Sequence, residues 1–252
     1  MNYAEKLKQR LKENVAQILG TEHDLRATEK ATAYIFHDIS MNFHEASYAH
    51  IMDKPAWQSR LKKPHSHFND GTLEMQSSNS SDALLMNIFC HPNFWDWSGV
   101  SSLLQIKPGA SLEFGWHPTF DNENRATEID LKIGDSIFEA KLTESDFTEK
   151  DLVSVQRYAS FDQIFDSSCL LTDRGTVRHY QLIRNILTAE KYEMSFTLLV
   201  DQERIDLIRS LFEASMAVLD KGLRRRIRFV SWQEIASVCG KNLSTYLEKR
   251  YF

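Results

Sequence analysis

The stretch Thr127-Glu-Ile-Asp-Leu-Lys-Ile-Gly-Asp-Ser-Ile-Phe-Glu-Ala-Lys-Leu-Thr143 reads as a β-hairpin. Residues 127–133 and 136–142 both alternate in polarity, and Gly134-Asp135 between them has the composition of a tight two-residue turn. Paired positions in such a hairpin sum to a constant, so the turn sets the register. Ile133 faces Ser136, Leu131 faces Phe138, Asp130 faces Glu139 and Glu128 faces Lys141. One face then carries Ile129, Leu131, Ile133, Phe138, Ala140 and Leu142; the other carries Glu128, Asp130, Lys132, Ile137, Glu139 and Lys141.

Directly opposed side chains on an antiparallel pair have Cβ atoms about 4.5–5.5 Å apart, and like charges there destabilise by roughly 0.2–1 kcal/mol. Asp130 opposite Glu139 is therefore a small local fault. A divalent cation would turn it to use, since Mg²⁺ takes one or two carboxylates and keeps several waters. Two carboxylates and the Lys141 amine at this spacing have the make-up of a metal-dependent phosphodiesterase site. The competing reading is a solvent-facing hairpin in which Glu128 pairs with Lys141 and the two acids merely repel.

Working outward, a helix is expected over about Ser81–Cys90, entered through Ser80-Ser81-Asp82 and carrying Leu84, Leu85, Ile88 and Phe89 on one side. A strand follows at Ala110–Trp116, where Leu112 and Phe114 alternate with Glu113. Beyond the hairpin come a turn-rich stretch, a helix from about Arg178 to Glu190, and an apolar strand at Ser195–Val200. The order is helix, three strands, helix, strand. It predicts an α/β fold with a mixed central sheet flanked by helices.

The motif Glu128-Ile-Asp130, with Glu139-Ala-Lys141 nine residues after Asp130, stands inside that element order. So placed, it is similar to the PD-(D/E)XK nuclease superfamily. Ser80-Ser81-Asp82-Ala83 through Asn87-Ile-Phe89, Tyr180-Gln-Leu-Ile-Arg-Asn185 and Trp232-Gln-Glu-Ile235 more closely resemble a group of bacterial restriction-endonuclease-like proteins within it. Together these segments cover most of the chain, from about residue 75 to 250. The resemblance implies a restriction-endonuclease-like core acting as a Mg²⁺-dependent nuclease, with Mn²⁺ as a substitute metal and DNA as the favoured substrate. It makes Asp130 and Glu139 metal ligands, the Ala140 carbonyl a further ligand and Lys141 the catalytic amine. Ile129 stands where the namesake pattern has proline. A further acid often joins such sites. Glu74 and Asp82 are candidates, Asp82 also being suited to a helix start, and Glu113 and Glu128 are others.

The Arg178–Glu190 segment presents Gln181, Arg184, Asn185 and Thr188 on one stripe, with Tyr180, Ile183 and Leu187 on a flanking apolar one. In the resembled family this helix neighbours the active site, which makes Gln181 a catalytic candidate and lets Gln181 and Arg184 contact phosphate or the residues that hold the metal. A solvated polar helix face would look the same.

With 252 residues and 42% hydrophobic content the chain is long enough for one large domain with additions. Residues 1–75 are expected to form an N-terminal helical elaboration, with Pro55–Gly71 as a flexible connection, and residues 76–252 the nuclease-like domain. The formal charge of −5 excludes a global attraction to nucleic acid, so any binding surface is local. Lys221-Gly-Leu-Arg224-Arg225-Arg226-Ile-Arg228 is one candidate and Lys62-Lys63 another, each equally readable as a solvated basic turn. Three scattered cysteines, Cys90, Cys169 and Cys239, suit a reducing cytoplasm. Leu7, Leu11, Val15, Ile18 and Leu19 mark an amphipathic first helix, not a signal peptide, and no apolar run reaches membrane-spanning length.

Beyond Val200 the pattern predicts a helix over Gln202–Leu219, a strand over Ile227–Val230 and a last helix over Trp232–Lys249. His65-Ser66-His67 lacks a matching downstream histidine pair and reads as a loop. Phe94, Trp95 and Trp97 read as packing aromatics. There is no Gly-x-Ser-x-Gly elbow, phosphate loop or dinucleotide fingerprint. A non-catalytic nuclease-like protein that binds nucleic acid or a partner is the alternative function, RNA or a special DNA structure the alternative substrate, and a homodimer one way to cut both strands.

Overall fold

The structure, a computed structural model, describes residues 3–19, 25–27, 33–66, 68, 70–120 and 128–252. Thr127 and His67 lie outside the described residues, as does the side chain of Leu19. The hairpin forms around Gly134, whose φ of +56° is the positive value that the first central position of a two-residue hairpin turn requires. Its register is the expected one: Leu131 pairs with Phe138, Lys132 with Ile137 and Ile133 with Ser136.

Two compact units account for the chain. The first comprises residues 1–109, 140–144 and 232–252, the second residues 110–139 and 145–231. The second holds a mixed five-stranded sheet of β1 (Leu112–Trp116), β2 (Ile129–Ile133), β3 (Ser136–Ala140), β4 (Ser195–Val200) and β5 (Ile227–Ser231), adjacent in that order. β1 and β2 are antiparallel, as are β2 and β3, whereas β4 and β5 run parallel. The parallel pair needs a crossover, and the Ile205–Met216 helix supplies it. This is the α/β class, with a restriction-endonuclease-like order of core elements.

β3 is the middle strand, and all five of its residues are buried. On the charged face Glu139 and Lys141 are buried, whereas Glu128, Asp130 and Lys132 stay half-exposed. Ile137, on the same face as Glu139, joins a core with Leu182, Ile183, Ile186 and Leu187 of the Tyr180–Lys191 helix and with Phe196, Leu198 and Val200 of β4. The turn-rich stretch before that helix contains a small ribbon, Lys150–Asp151 with Thr176–Val177, and two single-turn helices, Leu152–Val155 and Phe161–Ile164.

In the first unit, Leu7, Leu11 and Val15 of the Tyr3–Leu19 helix are buried, and this helix packs against the Lys241–Tyr251 helix. Ile18 on the same stripe is exposed. The Ser81–Phe89 helix is buried at every position and is capped by Ser80, whose hydroxyl accepts from the Ala83 N–H at 3.1 Å. Two expectations fail here. Pro55–Leu61, expected as loop, is a helix with proline at its first turn, where the missing N–H costs nothing, and it buries Trp57 and Leu61. The single C-terminal helix is two, Trp232–Val238 and Lys241–Tyr251. Gly240 has ψ 144°, which stops the helix, and a Cβ there would lie 2.8 Å from Trp97 Nε1.

Candidate active site

The β2–β3 register brings Asp130 opposite Glu139. The pairs Leu131–Phe138 and Lys132–Ile137, continued by one step, set these two acids opposite each other. Asp130 is half-buried and Glu139 only 6% exposed. A carboxylate so far out of water needs donors, and Asn185 is one of them: its Nδ2 donates to Glu139 Oε2 at 2.8 Å. Asn185 sits on the Tyr180–Lys191 helix, one turn beyond Gln181, so the two amides share a helix face. Asn185 Oδ1 and Gln181 Oε1 are both buried without a hydrogen-bond partner among the described residues. Leaving a buried acceptor unmet costs about 1–3 kcal/mol. Asn185 Oδ1 belongs to the amide that holds Glu139, and Gln181 Oε1 lies one helical turn earlier.

The helix is entered through His179, whose φ of 60° is a left-handed value that a non-glycine residue adopts only under constraint. His179 Nε2 lies 2.9 Å from Glu213 Oε2, and the backbone N–H groups of Tyr180 and Gln181 donate to Thr148 and Phe147. These ties set the start of the helix and hence the height of Gln181 and Asn185. Arg184 stacks its guanidinium over Tyr180, 5.1 Å from the ring centre, a helix-surface pairing.

Ala140 and Lys141 follow Glu139 directly and are both buried. The Lys141 carbonyl accepts from Trp232 Nε1 at 2.9 Å, which fixes the backbone at this position. Three residues on, Glu144 accepts from the Leu142 N–H at 2.6 Å and the Ser81 hydroxyl at 2.7 Å.

The further acids fare unequally. Asp82 is gripped by Arg60 at 3.0 Å and Lys63 at 3.1 Å, and Lys63 also pairs with Glu74. Burial and the Asp82 charge push the Glu74 carboxyl up from its ordinary value. Both acids are thus engaged in a charged cluster of their own. Glu113 pairs with Lys132 across the β1–β2 register at 2.6 Å, and Glu128 is half-buried just before β2. Among the described residues no three His, Cys, Asp or Glu side chains converge as a metal-binding group.

The basic run is largely spent on structure. Arg226 donates to the carbonyls of Ala189 and Met194 and pairs with Glu190, Arg224 donates to the Val218 carbonyl, and Arg228 donates to Thr197. Lys221 and Arg225 remain exposed. The aromatic trio packs as expected: Phe94 lies 5.1 Å from Phe89, and Trp97 4.7 Å from His91.

A family model for restriction endonucleases associating with ARP matches residues 8–252. The chain belongs to this family. The match spans both units, so the REase-ARP family includes the N-terminal helical part as well as the sheet. No curated protein and no solved structure matches this REase-ARP chain. Among its described residues no helix is long and apolar enough to cross a membrane. Asn185 is the residue that sequence reasoning placed on a polar stripe without a task. Its spacing of four from Gln181 was the available signal, and only the fold reveals its bond to Glu139.

Proposed function

We propose that this protein is a Mg²⁺-dependent nuclease of the PD-(D/E)XK kind, hydrolysing phosphodiester bonds in nucleic acid, with DNA as the favoured substrate. The observation that carries the reading is the buried Glu139, held by Asn185 in a hairpin whose register, continued one step past Leu131–Phe138, sets it opposite Asp130. Two carboxylates facing each other raise the cost of each other's charge, and a cation bound between them would offset it.

In this reading Asp130, Glu139 and the Ala140 carbonyl hold the metal, and Mn²⁺ can replace Mg²⁺. When bound, the ion supplies Lewis-acid polarisation and a more acidic water. Lys141 places a cation beside the phosphate as charge develops on its oxygens, and Gln181 orients water or phosphate by hydrogen bonding. The orphaned amide oxygens fit hydrated metal, since coordinated water offers the donors they lack.

The family's description as restriction endonucleases associating with ARP supports a partner protein acting with the nuclease. A homodimer would give access to both strands of a duplex. Three free cysteines, with burial pushing the Cys239 thiol up to about 12, suit a reducing cytoplasm.

The test is metal-dependent cleavage of duplex DNA, single-stranded DNA and RNA, with Asp130→Ala beside wild type. Cleavage that needs both metal and Asp130 is the expected result. Cleavage that survives in Asp130→Ala would remove this site from the chemistry, and binding without cleavage would favour the non-catalytic reading.

A further inference from the structure

We infer that Asn185 is a positioning residue, acting through Glu139 to present that carboxylate to a divalent cation. The inference rests on the nuclease reading and names a residue the two-strand motif does not contain. Three observations converge. Asn185 is 1% exposed, so its amide cannot be turned by bulk water. Its Nδ2 lies 2.8 Å from Glu139 Oε2. A carboxylate only accepts, so the nitrogen must face Glu139 and the oxygen must face away. That oxygen, Oδ1, is buried and unmet among the described residues, as is Oε1 of Gln181 one turn earlier.

The arrangement has a simple logic. One N–H holds Glu139 Oε2 in place, and a water in the cation's shell could supply the donor that Asn185 Oδ1 lacks. Partners that orient metal ligands in this way are typically worth roughly 10–100-fold in metal affinity. A purely structural asparagine would instead satisfy both ends of its amide within the protein, as Asn87 does by donating to the Asn42 and Ala83 carbonyls while accepting from the His44 N–H.

The experiment is a double-mutant cycle on Mn²⁺ affinity, measured by titration calorimetry without nucleic acid. Asn185→Leu and Asn185→Ala are each made in wild type and in Glu139→Asp, which keeps a carboxylate but draws it back by one methylene from Asn185. Melting temperatures are recorded for every protein. The expected result is a loss of about tenfold or more for either Asn185 variant in wild type and at most about twofold in Glu139→Asp. Unchanged affinity in wild type would overturn the inference, as would an equal loss in both backgrounds. So would failure of both Asn185 variants to fold. If wild type itself binds no Mn²⁺ and Asp130→Ala is equally silent, the nuclease reading falls and the inference with it. If Asp130→Ala weakens Mn²⁺ binding and the Asn185 variants do not, only the inference falls.

Discussion

At Asp130, Glu139 and Lys141 the proposed division of roles predicts different outcomes for different substitutions. The two carboxylates differ in exposure, Glu139 buried and Asp130 half-open to solvent, so the same substitution at each has a different price in stability. Asp130→Ala is expected to lower Mn²⁺ affinity at least tenfold while leaving the fold intact, checked by calorimetry and circular dichroism. Lys141→Ala is expected to keep metal affinity and lose roughly 10²–10³-fold in cleavage rate, the scale for removing one charge-stabilising donor. A rate equal to wild type would take Lys141 out of the chemistry. Legibility at this scale was uneven. Asp130 and Glu139 are close in sequence and joined by one turn, so periodicity alone pairs them, whereas Asn185 lies 46 residues from Glu139 and needs a packed helix to reach it.

Among the elements, two glycines hold geometry that a side chain would strain. Gly134 takes φ +56° in the turn that sets the Asp130–Glu139 register. Gly134→Val is expected to cost about 1–3 kcal/mol in urea unfolding, since a β-branched side chain is strained at positive φ. Gly240 separates the two C-terminal helices and leaves no room for a Cβ, which would sit 2.8 Å from the Trp97 indole. Gly240→Ala should destabilise by about 1–3 kcal/mol, the usual cost of overpacking, read from the same unfolding curves. An unchanged midpoint would mean that the Trp97 ring yields easily. The break at Gly240 was invisible to periodicity, because apolar spacing continues through it from Ile235 to Leu243 and Leu247. Close approach of a distant indole is a tertiary fact.

For the molecule as a whole, pH offers a lever on stability. Burial pulls the His91 imidazole down to about 4, with the neighbouring His44 and His50 adding to the effect, and burial also lowers His44 against the pull of Glu45. The folded protein therefore binds fewer protons than the unfolded chain between about 4 and the ordinary histidine value of about 6.5, so stability rises with pH across that window. Above about 6.5 the contribution is complete. Melting temperature should be flat there and fall as the pH drops toward 5, with a loss on the order of 1 kcal/mol once solvent screening is allowed for. A His91→Phe protein should show a shallower fall. An identical slope would assign the pH dependence to other groups. The raised Glu74 works in the opposite sense, stabilising below its unfolded value of about 4.5 and losing that contribution as the pH rises through its folded one.

What the sequence determined by itself was what short-range periodicity can encode: the hairpin and its register, the strand at 195–200 and the one from Ile227 to within a residue of its end at Ser231, the helix that carries Gln181, and hence the α/β class. Charge alternation along the hairpin could not say which face met solvent, because an antiparallel pair with one wet face and a central buried strand share the same pattern. Only the packing of the Tyr180–Lys191 helix, which shares a core with Ile137 and places Asn185 on Glu139, decided that this side of β3 is covered. The same holds for the basic run and the acidic candidates. Whether Arg226 meets a phosphate or the Ala189 carbonyl, and whether Asp82 meets a metal or Arg60, depends on which distant chain segments lie beside it. Those neighbours are chosen by the burial of apolar area across the whole chain, a long-range competition that local spacing does not record.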